Sequence, residues 1–293
     1  MAIYLKKFET HTQYDTYING SDAILPNVSI CTTEGDVHYN PYTEPPAETR
    51  LVAKFNVTDT NSPTQIASSV NGFSSIEIDG IEQPSVTSGY TFSTTGEHTV
   101  KYMLIDPTTI DNMDFYGCSR LSSITIPSVV TSIGQYVFYN CGGLTNITLP
   151  SGLTSIGERA FSECSSLSSV TIPNGVTSIG ESAFGYCYSL TSIDIPNSVT
   201  SIGDYVFQGC SGLTSCTIGS GVTSIGISVF SGCRSITSIT CNAMIATTIN
   251  SGTFQNINKN GTLYVPIGSS GYDAWMSTVY GFLGYYNWTK VEQ

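Results

Sequence analysis

The chain has 293 residues, and its 10 lysines and arginines against 22 aspartates and glutamates give a formal net charge of -12. A protein this poor in cations cannot neutralise a phosphate backbone, which excludes nucleic acid as a class of partner. Hydrophobic residues make up 40% of the chain, as in a folded domain rather than a disordered acidic tail. No apolar run reaches the roughly 18 residues of a membrane span, so membrane insertion is not expected.

Residues 1–48 are predicted to form an amino-terminal attachment segment, which ends in the proline-rich stretch Pro41-Tyr42-Thr43-Glu44-Pro45-Pro46. Residues 5–11, 26–29 and 37–41 are similar to the amino termini of structural proteins from Bacteroides and their phages. This resemblance implies docking to a virion or homo-oligomerisation through the segment. The first eight residues lack the apolar core of a secretory signal. A virion protein, which needs no signal, and a chain whose signal has been removed both stay open.

Residues 49–105 are predicted to form a small antiparallel β module with a sandwich-like arrangement. Runs rich in β-branched and aromatic residues predict strands over residues 51–57, 73–78 and 100–104. The dipeptide Asp79-Gly80 is typical of a tight turn after the second of these strands. We expect this module to cover the open end of the repeats that follow it.

A 23-residue repeat covers residues 106–241. Phenylalanine recurs at that spacing, and a cysteine follows each phenylalanine by three residues. The phenylalanines are Phe115, Phe138, Phe161, Phe184, Phe207 and Phe230. The cysteines are Cys118, Cys141, Cys164, Cys187, Cys210 and Cys233. Written as one unit, the repeat reads L-x-x-I-x-I-P-x-x-V-x-x-I-G-x-x-x-F-x-x-C, and a fixed period of this kind is typical of a solenoid.

Each unit predicts one coil made of a strand, a turn and a short helix. The opening residues alternate in polarity with period two, as in a half-buried strand, and a proline such as Pro150 ends that strand. The glycine after each isoleucine permits a sharp turn, and the spacing of Phe161 and Cys164 matches one helical turn. Coils stacked at about 4.8 Å would pair their strands in parallel and bury a continuous core. The predicted fold class is therefore an α+β repeat solenoid.

The unit resembles the BspA-like subclass of leucine-rich repeats, found in surface proteins of Bacteroides-type bacteria. The residues that carry the resemblance in one coil are Leu190, Ile193, Ile195, Pro196, Val199, Ile202, Gly203, Phe207 and Cys210. Later coils depart from it, with Gly219 in place of the proline and with Cys216 and Cys241 at inward strand positions. The resemblance implies roles in adhesion and in binding host proteins, together with an extracellular or surface-displayed location.

Residues 242–293 are predicted to cap the carboxy-terminal end of the solenoid. The stretch Thr262-Leu263-Tyr264-Val265-Pro266 imitates one more strand ending in proline. The residues after it are rich in aromatic side chains, among them Trp275 and Trp288. An exposed sheet edge invites aggregation, so a segment that folds over the last coil would protect it.

The periodic cysteines predict a ladder of buried, reduced thiols. Ligands that recur every 23 residues would lie in a line, which does not match the tetrahedral geometry of a zinc site. Disulfides between adjacent coils stay open, because the strand spacing lies within the range of a bridge.

No enzymatic device, cofactor site or metal site is predicted. His11, His38 and His98 are the only histidines, and all of them precede the repeats without a nucleophile motif. Asp106, Asp111 and Asp114 lie close together in the sequence. Roles at helix starts or in turns are expected for these three aspartates, with cation binding as the alternative.

Two sets of side chains are candidates for a binding surface. Asn146, Thr148 and Asp194 belong to an array of outward strand positions that is otherwise Ser and Thr, and concave solenoid faces commonly bind ligands. The alternative for this array is a solvated sheet face with hydrogen bonds across strands. The second set consists of tyrosines at recurring positions of the unit: Tyr116, Tyr136, Tyr139, Tyr186 and Tyr205. Tyrosine is favoured at interfaces and stacks on sugars, with ordinary rim packing as the alternative.

These features predict a non-enzymatic recognition or adhesion protein that presents a leucine-rich-repeat surface to a host protein or glycan. The alternative is a phage fibre or decoration protein whose solenoid has a mainly structural role. Because 12 of the 22 acidic residues precede residue 106, the solenoid face is expected to be nearly neutral. Hydroxyl and aromatic contacts are therefore expected to bind the ligand, rather than long-range charge.

Overall fold

A computed structural model describes residues 31–33, 36–38 and 50–293. The chain divides into two compact units, Met1–Ala47 and Glu48–Gln293. In the first unit, strand β1 (Cys31–Thr33) pairs antiparallel with strand β2 (Asp36–His38). The remainder of the predicted attachment segment, residues 1–48, lies outside the described residues.

An antiparallel sheet opens the second unit, with strands at the three runs that the sequence predicts. Its strands are β3 (Arg50–Val57), β5 (Phe73–Ile78), β6 (Ile81–Glu82) and β8 (Gly96–Leu104). They lie in the order β3-β8-β5-β6, and the Asp79-Gly80 turn joins β5 to β6. A two-stranded ribbon of β4 (Thr64–Gln65) and β7 (Gly89–Tyr90) accompanies the sheet. The antiparallel sheet continues into the repeats, because β3 also pairs antiparallel with the long strand of the first coil.

Two strand series run along the solenoid, one longer and one shorter, and each pairs in parallel from coil to coil. The long strands are β10 (Leu121–Thr125), β12 (Asn146–Thr148), β15 (Ser192–Ile195), β17 (Ser215–Ile218), β19 (Ser238–Cys241), β20 (Thr262–Val265) and β21 (Thr289–Glu292). The short strands are β9 (Thr109–Ile110), β11 (Ser132–Ile133), β13 (Ser155–Ile156), β14 (Ser178–Ile179), β16 (Ser201–Ile202) and β18 (Ser224–Ile225). The predicted strand at Tyr264 is confirmed as β20, which pairs with β19.

The long-strand series is interrupted in the middle of the solenoid. Strand β12 reaches the next coil through the isolated bridge between Asn146 and Ser169 alone. Regular pairing resumes at β15, so the long strands belong to two separate sheets. The short-strand series runs through the same coils without a break, from β9 to β18.

The predicted short helices are wrong. The described residues contain no α-helix, and their two 3-10 helices, Tyr272–Ala274 and Leu283–Tyr286, lie after the repeats. Where the unit reads G-x-x-x-F-x-x-C, the backbone forms consecutive turns, called here the turn segment. Its amides bond to the next coil instead of to residues four positions back: the Phe138 N–H donates to the Ala160 carbonyl at 2.8 Å, and the Asn140 N–H donates to the Ser162 carbonyl at 2.9 Å. The fold is therefore a β-solenoid of leucine-rich-repeat coils, not an α+β one.

A stack of phenylalanine rings forms the core beside the turn segments. Ring centroids of successive coils lie 5.2 to 5.8 Å apart, and the ring planes are nearly parallel, from Phe115 to Phe254. Such pairs contribute about 0.5–1.5 kcal/mol each beyond the area they bury. Tyr102 of β8 contacts Phe115 edge-on at one end, and Trp275 contacts Phe254 at the other. Aromatic side chains from outside the repeats thus close both ends of the stack.

Cysteines and hydroxyls satisfy backbone carbonyls between coils. The Cys164 thiol donates to the Phe138 carbonyl of the preceding coil at 3.1 Å, and the same bond recurs along the ladder. The eight cysteines of residues 50–293 are free and buried, in agreement with the predicted ladder of reduced thiols. Burial raises the pKa of the Cys210 thiol to about 12, which makes that thiol unreactive at neutral pH. The Thr154 hydroxyl donates in the same way to the Thr131 carbonyl at 3.0 Å.

The glycine that follows each isoleucine allows neighbouring coils to approach each other. A Cβ built on Gly157 would lie only 2.4 Å from the Gly134 carbonyl oxygen of the preceding coil. Its φ lies outside the left-handed region, so this close approach, and not a left-handed backbone, is what requires glycine here.

We expect Phe161→Ala to lower the free energy of unfolding by about 3–5 kcal/mol, because it leaves a cavity in the middle of the stack. Tyr188→Ala is the matched control, since Tyr188 is an exposed aromatic residue of the neighbouring coil. Its cost should stay within about 1 kcal/mol. Chemical denaturation measures both values, and equal losses would contradict a stabilising role for the stack.

Candidate functional site

Two left-handed residues in each turn segment shape the surface beside the phenylalanine stack. In successive coils they include Tyr136 and Asn140, then Arg159 and Glu163. Left-handed backbone costs about 1–2 kcal/mol for residues other than glycine. The bonds between neighbouring coils offset this cost, since the Tyr136 amide donates to the Glu158 carbonyl at 2.9 Å. The side chains of the turn segments therefore project from a backbone that is held in place from coil to coil.

These side chains line one groove, named here the tyrosine groove, with a volume of about 380 Å³. Its lining residues are Tyr116, Tyr136, Tyr139, Arg159, Ser162, Glu163, Glu181, Ser182, Tyr186, Tyr205 and Gln208. All five tyrosines that the sequence analysis proposes as binding residues thus line this groove. The coils that carry Tyr116 and Gln208 are separated by four repeat steps.

The tyrosine rings contact one another and their neighbours within the groove. Tyr116 and Tyr139 stack with their ring centroids 5.0 Å apart, and Tyr136 lies 5.9 Å from Tyr139. The ring of Tyr186 lies against Gly209 of the next coil, where a Cβ would approach it to 2.6 Å. Gly209 also has a φ of 71°, so a side chain there would be strained as well as obstructed.

Arg159 is the only lysine or arginine between residues 121 and 233, and it belongs to this groove. Its guanidinium lies 5.5 Å from the centre of the Tyr136 ring and donates to the Tyr136 hydroxyl at 2.5 Å. It also forms ion pairs with Glu158 at 3.6 Å and with Glu181 at 3.8 Å. The one cation of this stretch is thus already shared between two carboxylates and an aromatic ring.

Hydrogen bonds to side chains of the next coil hold three tyrosine hydroxyls. Tyr136 donates to Glu158 at 2.9 Å, and Tyr139 donates to Glu163 at 2.5 Å. Tyr186 bonds to Gln208 at 3.1 Å. The bond to Glu163 raises the pKa of Tyr139 to about 12, because ionised tyrosine cannot donate to a carboxylate.

Asn146 and Thr148 lie apart from the tyrosines, in a second depression named here the strand-face hollow. It has a volume of about 390 Å³ and lies at the interruption of the long-strand series. Its lining residues are Asn146, Ile147, Thr148, Leu149, Ser151, Ser169, Val170, Thr171 and Pro173. Asp194 is exposed on β15 and lines neither depression. The structure therefore divides the nominated residues between two surfaces and leaves Asp194 outside both.

Asp106 and His98, the candidates for cation binding or catalysis that the structure describes here, form hydrogen bonds within the protein. The Asp106 carboxylate accepts bonds from the amide and the hydroxyl of Thr108, which is the expected turn role. The His98 ring bonds to Asp79 at 2.6 Å and to the Thr94 carbonyl at 2.9 Å. Among the described residues, no three Asp, Glu, His or Cys side chains are arranged to hold a metal ion. His11 lies outside those residues, and the side chain of His38 is not described.

No helix in residues 31–33, 36–38 and 50–293 has the length and apolar character that a membrane crossing requires.

The BspA type leucine rich repeat region matches this chain in six copies, over residues 87–212 and 177–272. The chain belongs to this family. As a BspA-type leucine-rich repeat protein, it uses the signature positions for the stack, the thiol ladder and the inward strand residues. The tyrosine groove is built from the positions between them.

Several solved bacterial structures are similar to this BspA-type chain. A leucine-rich repeat protein of T. pallidum shares 32% identity over 51% of this chain and 69% of its own, with a TM-score of 0.48. One from Bacteroides ovatus shares 27% identity over 62% of this chain and 50% of its own, with a TM-score of 0.46. The pneumococcal vaccine antigen PcpA shares 22% identity over 66% of this chain and 46% of its own, with a TM-score of 0.49. A search of curated proteins found no match.

Arg159, Glu163, Glu181 and Gln208 are groove residues that the sequence reasoning missed. Each occupies a variable position of the BspA-type unit, and Arg159 has the same register as Tyr136 and Tyr205. Comparing the coils at their variable positions, instead of at their constant ones, would have found these residues beside the tyrosines.

Asp114 is fully buried, and its Oδ1 atom has no hydrogen-bond partner among the described residues. Its Oδ2 atom accepts the Asp111 amide at 3.1 Å. Burial, and then the nearby charge of Asp111, raise the pKa of the Asp114 carboxyl to about 7. Because this pKa is higher than in the unfolded chain, the folded state gains most when the carboxyl is protonated.

We expect Asp114 to lower the stability of the protein as the pH rises from about 4 to about 7. Asp114→Asn, which keeps the acceptor for the Asp111 amide, should remove this dependence. The difference in unfolding free energy between variant and wild type should then grow by more than about 1 kcal/mol across that range. Asp194→Asn is the control at an exposed carboxylate that does not act on Asp114, and parallel pH profiles for wild type and Asp114→Asn would contradict the assignment.

Proposed function

We propose that this BspA-type leucine-rich repeat protein is a non-enzymatic recognition protein, which binds a host protein or a surface glycan through the tyrosine groove. We also propose that it acts in adhesion, displayed outside a bacterial cell or on a virion. One observation carries the proposal: five tyrosines from several coils converge in one groove beside a single arginine. Tyrosine and arginine are the residue types that contribute most at binding interfaces.

The rigidity of the groove supports this role. Three tyrosine hydroxyls are already bonded to the next coil, and the backbone under the rings is held by bonds between coils. A preformed surface loses less conformational entropy when a ligand binds. Binding energy that would otherwise order side chains is then available for the ligand.

The strand-face hollow is the second surface that we propose for contact with a partner. It contains Asn146 and Thr148, but no aromatic side chain lines it, unlike the tyrosine groove. We assign it a supporting role, together with the exposed Asp194 on β15.

The alternative role, a phage fibre or decoration protein, depends on residues 1–48. Nearly all of that segment lies outside the described residues, as does any virion docking or homo-oligomerisation through it. No contact in residues 50–293 favours that role over recognition.

The test is a binding screen over glycans and matrix proteins with wild type and Tyr136→Ala/Tyr139→Ala. We expect the double variant to lose at least about tenfold in affinity, since two aromatic contacts are removed. Tyr280→Ala/Tyr285→Ala is the matched control, because these two exposed tyrosines contact each other outside the groove, with ring centroids 5.2 Å apart.

If Tyr136→Ala/Tyr139→Ala, called here the groove variant, keeps the wild-type unfolding free energy and binds as tightly as wild type, the tyrosine groove is not the binding site. Equal losses in the groove variant and in the control would also count against it.

A further inference from the structure

We propose that the tyrosine groove selects a neutral oligosaccharide, and this inference rests on the recognition role proposed above. Three properties of the groove lead to it: its balance of charge, its mixture of donors and acceptors, and its length along the solenoid. Each property favours a neutral oligosaccharide over another ligand that could bind to tyrosines, such as an acidic glycan, a basic peptide or a single sugar ring.

The charges in the groove disfavour an acidic ligand. Its lining contains the carboxylates of Glu163 and Glu181 and the single guanidinium of Arg159. That guanidinium already pairs with Glu158 and Glu181. A sialic acid, a uronic acid or a sulfate would have to displace a carboxylate from Arg159 and would then lie close to two negative charges. Like charges brought this close destabilise a complex.

The hydrogen-bonding groups disfavour a basic peptide as well. An ammonium or guanidinium donates and never accepts, so it offers nothing to the donors of Arg159 and Gln208. A sugar hydroxyl both donates and accepts, which suits a groove where Arg159 and Gln208 lie beside Glu163 and Glu181.

The tyrosine rings supply the apolar contact that a neutral sugar requires. The C–H face of a pyranose ring packs on an aromatic face, while the hydroxyls at its edge stay free for polar partners. The hydroxyls of Tyr139, Tyr136 and Tyr186 are hydrogen-bonded, so their rings are held in fixed orientations. Their side chains therefore lose little further freedom when a ring stacks on them.

The length of the groove indicates a chain of sugars rather than a single ring. It runs from Tyr116 to Gln208, which is four repeat steps, or about 19 Å at the spacing of paired strands. Its volume of about 380 Å³ lies at the lower end of the range for sites that bind small ligands. A short oligosaccharide that lies along the solenoid axis is compatible with both the length and the volume of the groove.

The test uses the full chain on a glycan array that contains neutral, sialylated and sulfated oligosaccharides, with lysine- and arginine-rich peptides beside them. We expect binding to neutral oligosaccharides. Calorimetry on the best array ligand should show an affinity that changes less than about twofold between roughly 0.01 and 1 M salt, over which the Debye length falls from roughly 30 to 3 Å.

Three variants assign the contacts. Tyr139→Ala should weaken binding about tenfold or more, whereas Tyr139→Phe should stay closer to wild type because it keeps the ring. Glu181→Gln should weaken binding only a few-fold, since the amide still bonds to hydroxyls. The pair Tyr280→Ala/Tyr285→Ala controls for loss of tyrosine outside the groove.

Binding through the groove to acidic glycans, to basic peptides or to a protein alone would overturn this inference and leave the recognition role intact. A glycan whose binding is the same in Tyr139→Ala and in wild type would overturn it too. If no ligand of any class depends on Tyr136 and Tyr139, both this inference and the proposed function fail.

Discussion

Contact between identical side chains of neighbouring coils is the constraint on which the structure depends. A period of exactly one coil places each phenylalanine against the next, and the rings stack from Phe115 to Phe254. The same register places each thiol under a carbonyl of the preceding coil and each short strand beside its neighbour. One coil has no partner for any of these groups, because an isolated repeat cannot bury its own core. Tyr102 and Trp275 supply the missing partner at the two ends of the stack.

The candidate binding surface is a consequence of that register. Because the turn segments bond from coil to coil, non-glycine residues such as Tyr136 and Arg159 are held in left-handed conformations, and their side chains point along one face. Positions that the core does not use are free to vary, and there the coils carry tyrosine, arginine, glutamate and glutamine. The core residues repeat in every coil, whereas the groove positions carry different residues in different coils. A regular scaffold thus presents an irregular surface, which is what the selection of one ligand requires.

The repeating part of the fold could be predicted from the sequence, and the turn segment could not. Phe161 and Cys164 are three residues apart both in a helical turn and in a pair of β-turns, so their spacing does not separate the two structures. The β-turns form because the Phe161 amide bonds to the Ala183 carbonyl of the next coil. A contact between coils of this kind cannot be predicted from the local sequence pattern. The tyrosines were found because they recur, whereas Arg159 and Glu163 occur once at variable positions. Asn146 and Thr148 form a candidate set separate from the tyrosines, and they lie on a long strand, away from the turn segments.

Native-state hydrogen exchange at the turn segment tests most directly whether bonds between coils hold this structure. The amides of Phe138 and Asn140 donate across coils at 2.8 and 2.9 Å, as amides of the short strands do. Strong protection of Phe138 and Asn140, equal to that of Ile156 in β13, is the result that this arrangement predicts. Rapid exchange at Phe138 and Asn140 beside a protected Ile156 would contradict it. The turn segments would then be held only locally, and the groove that they build would not be preformed.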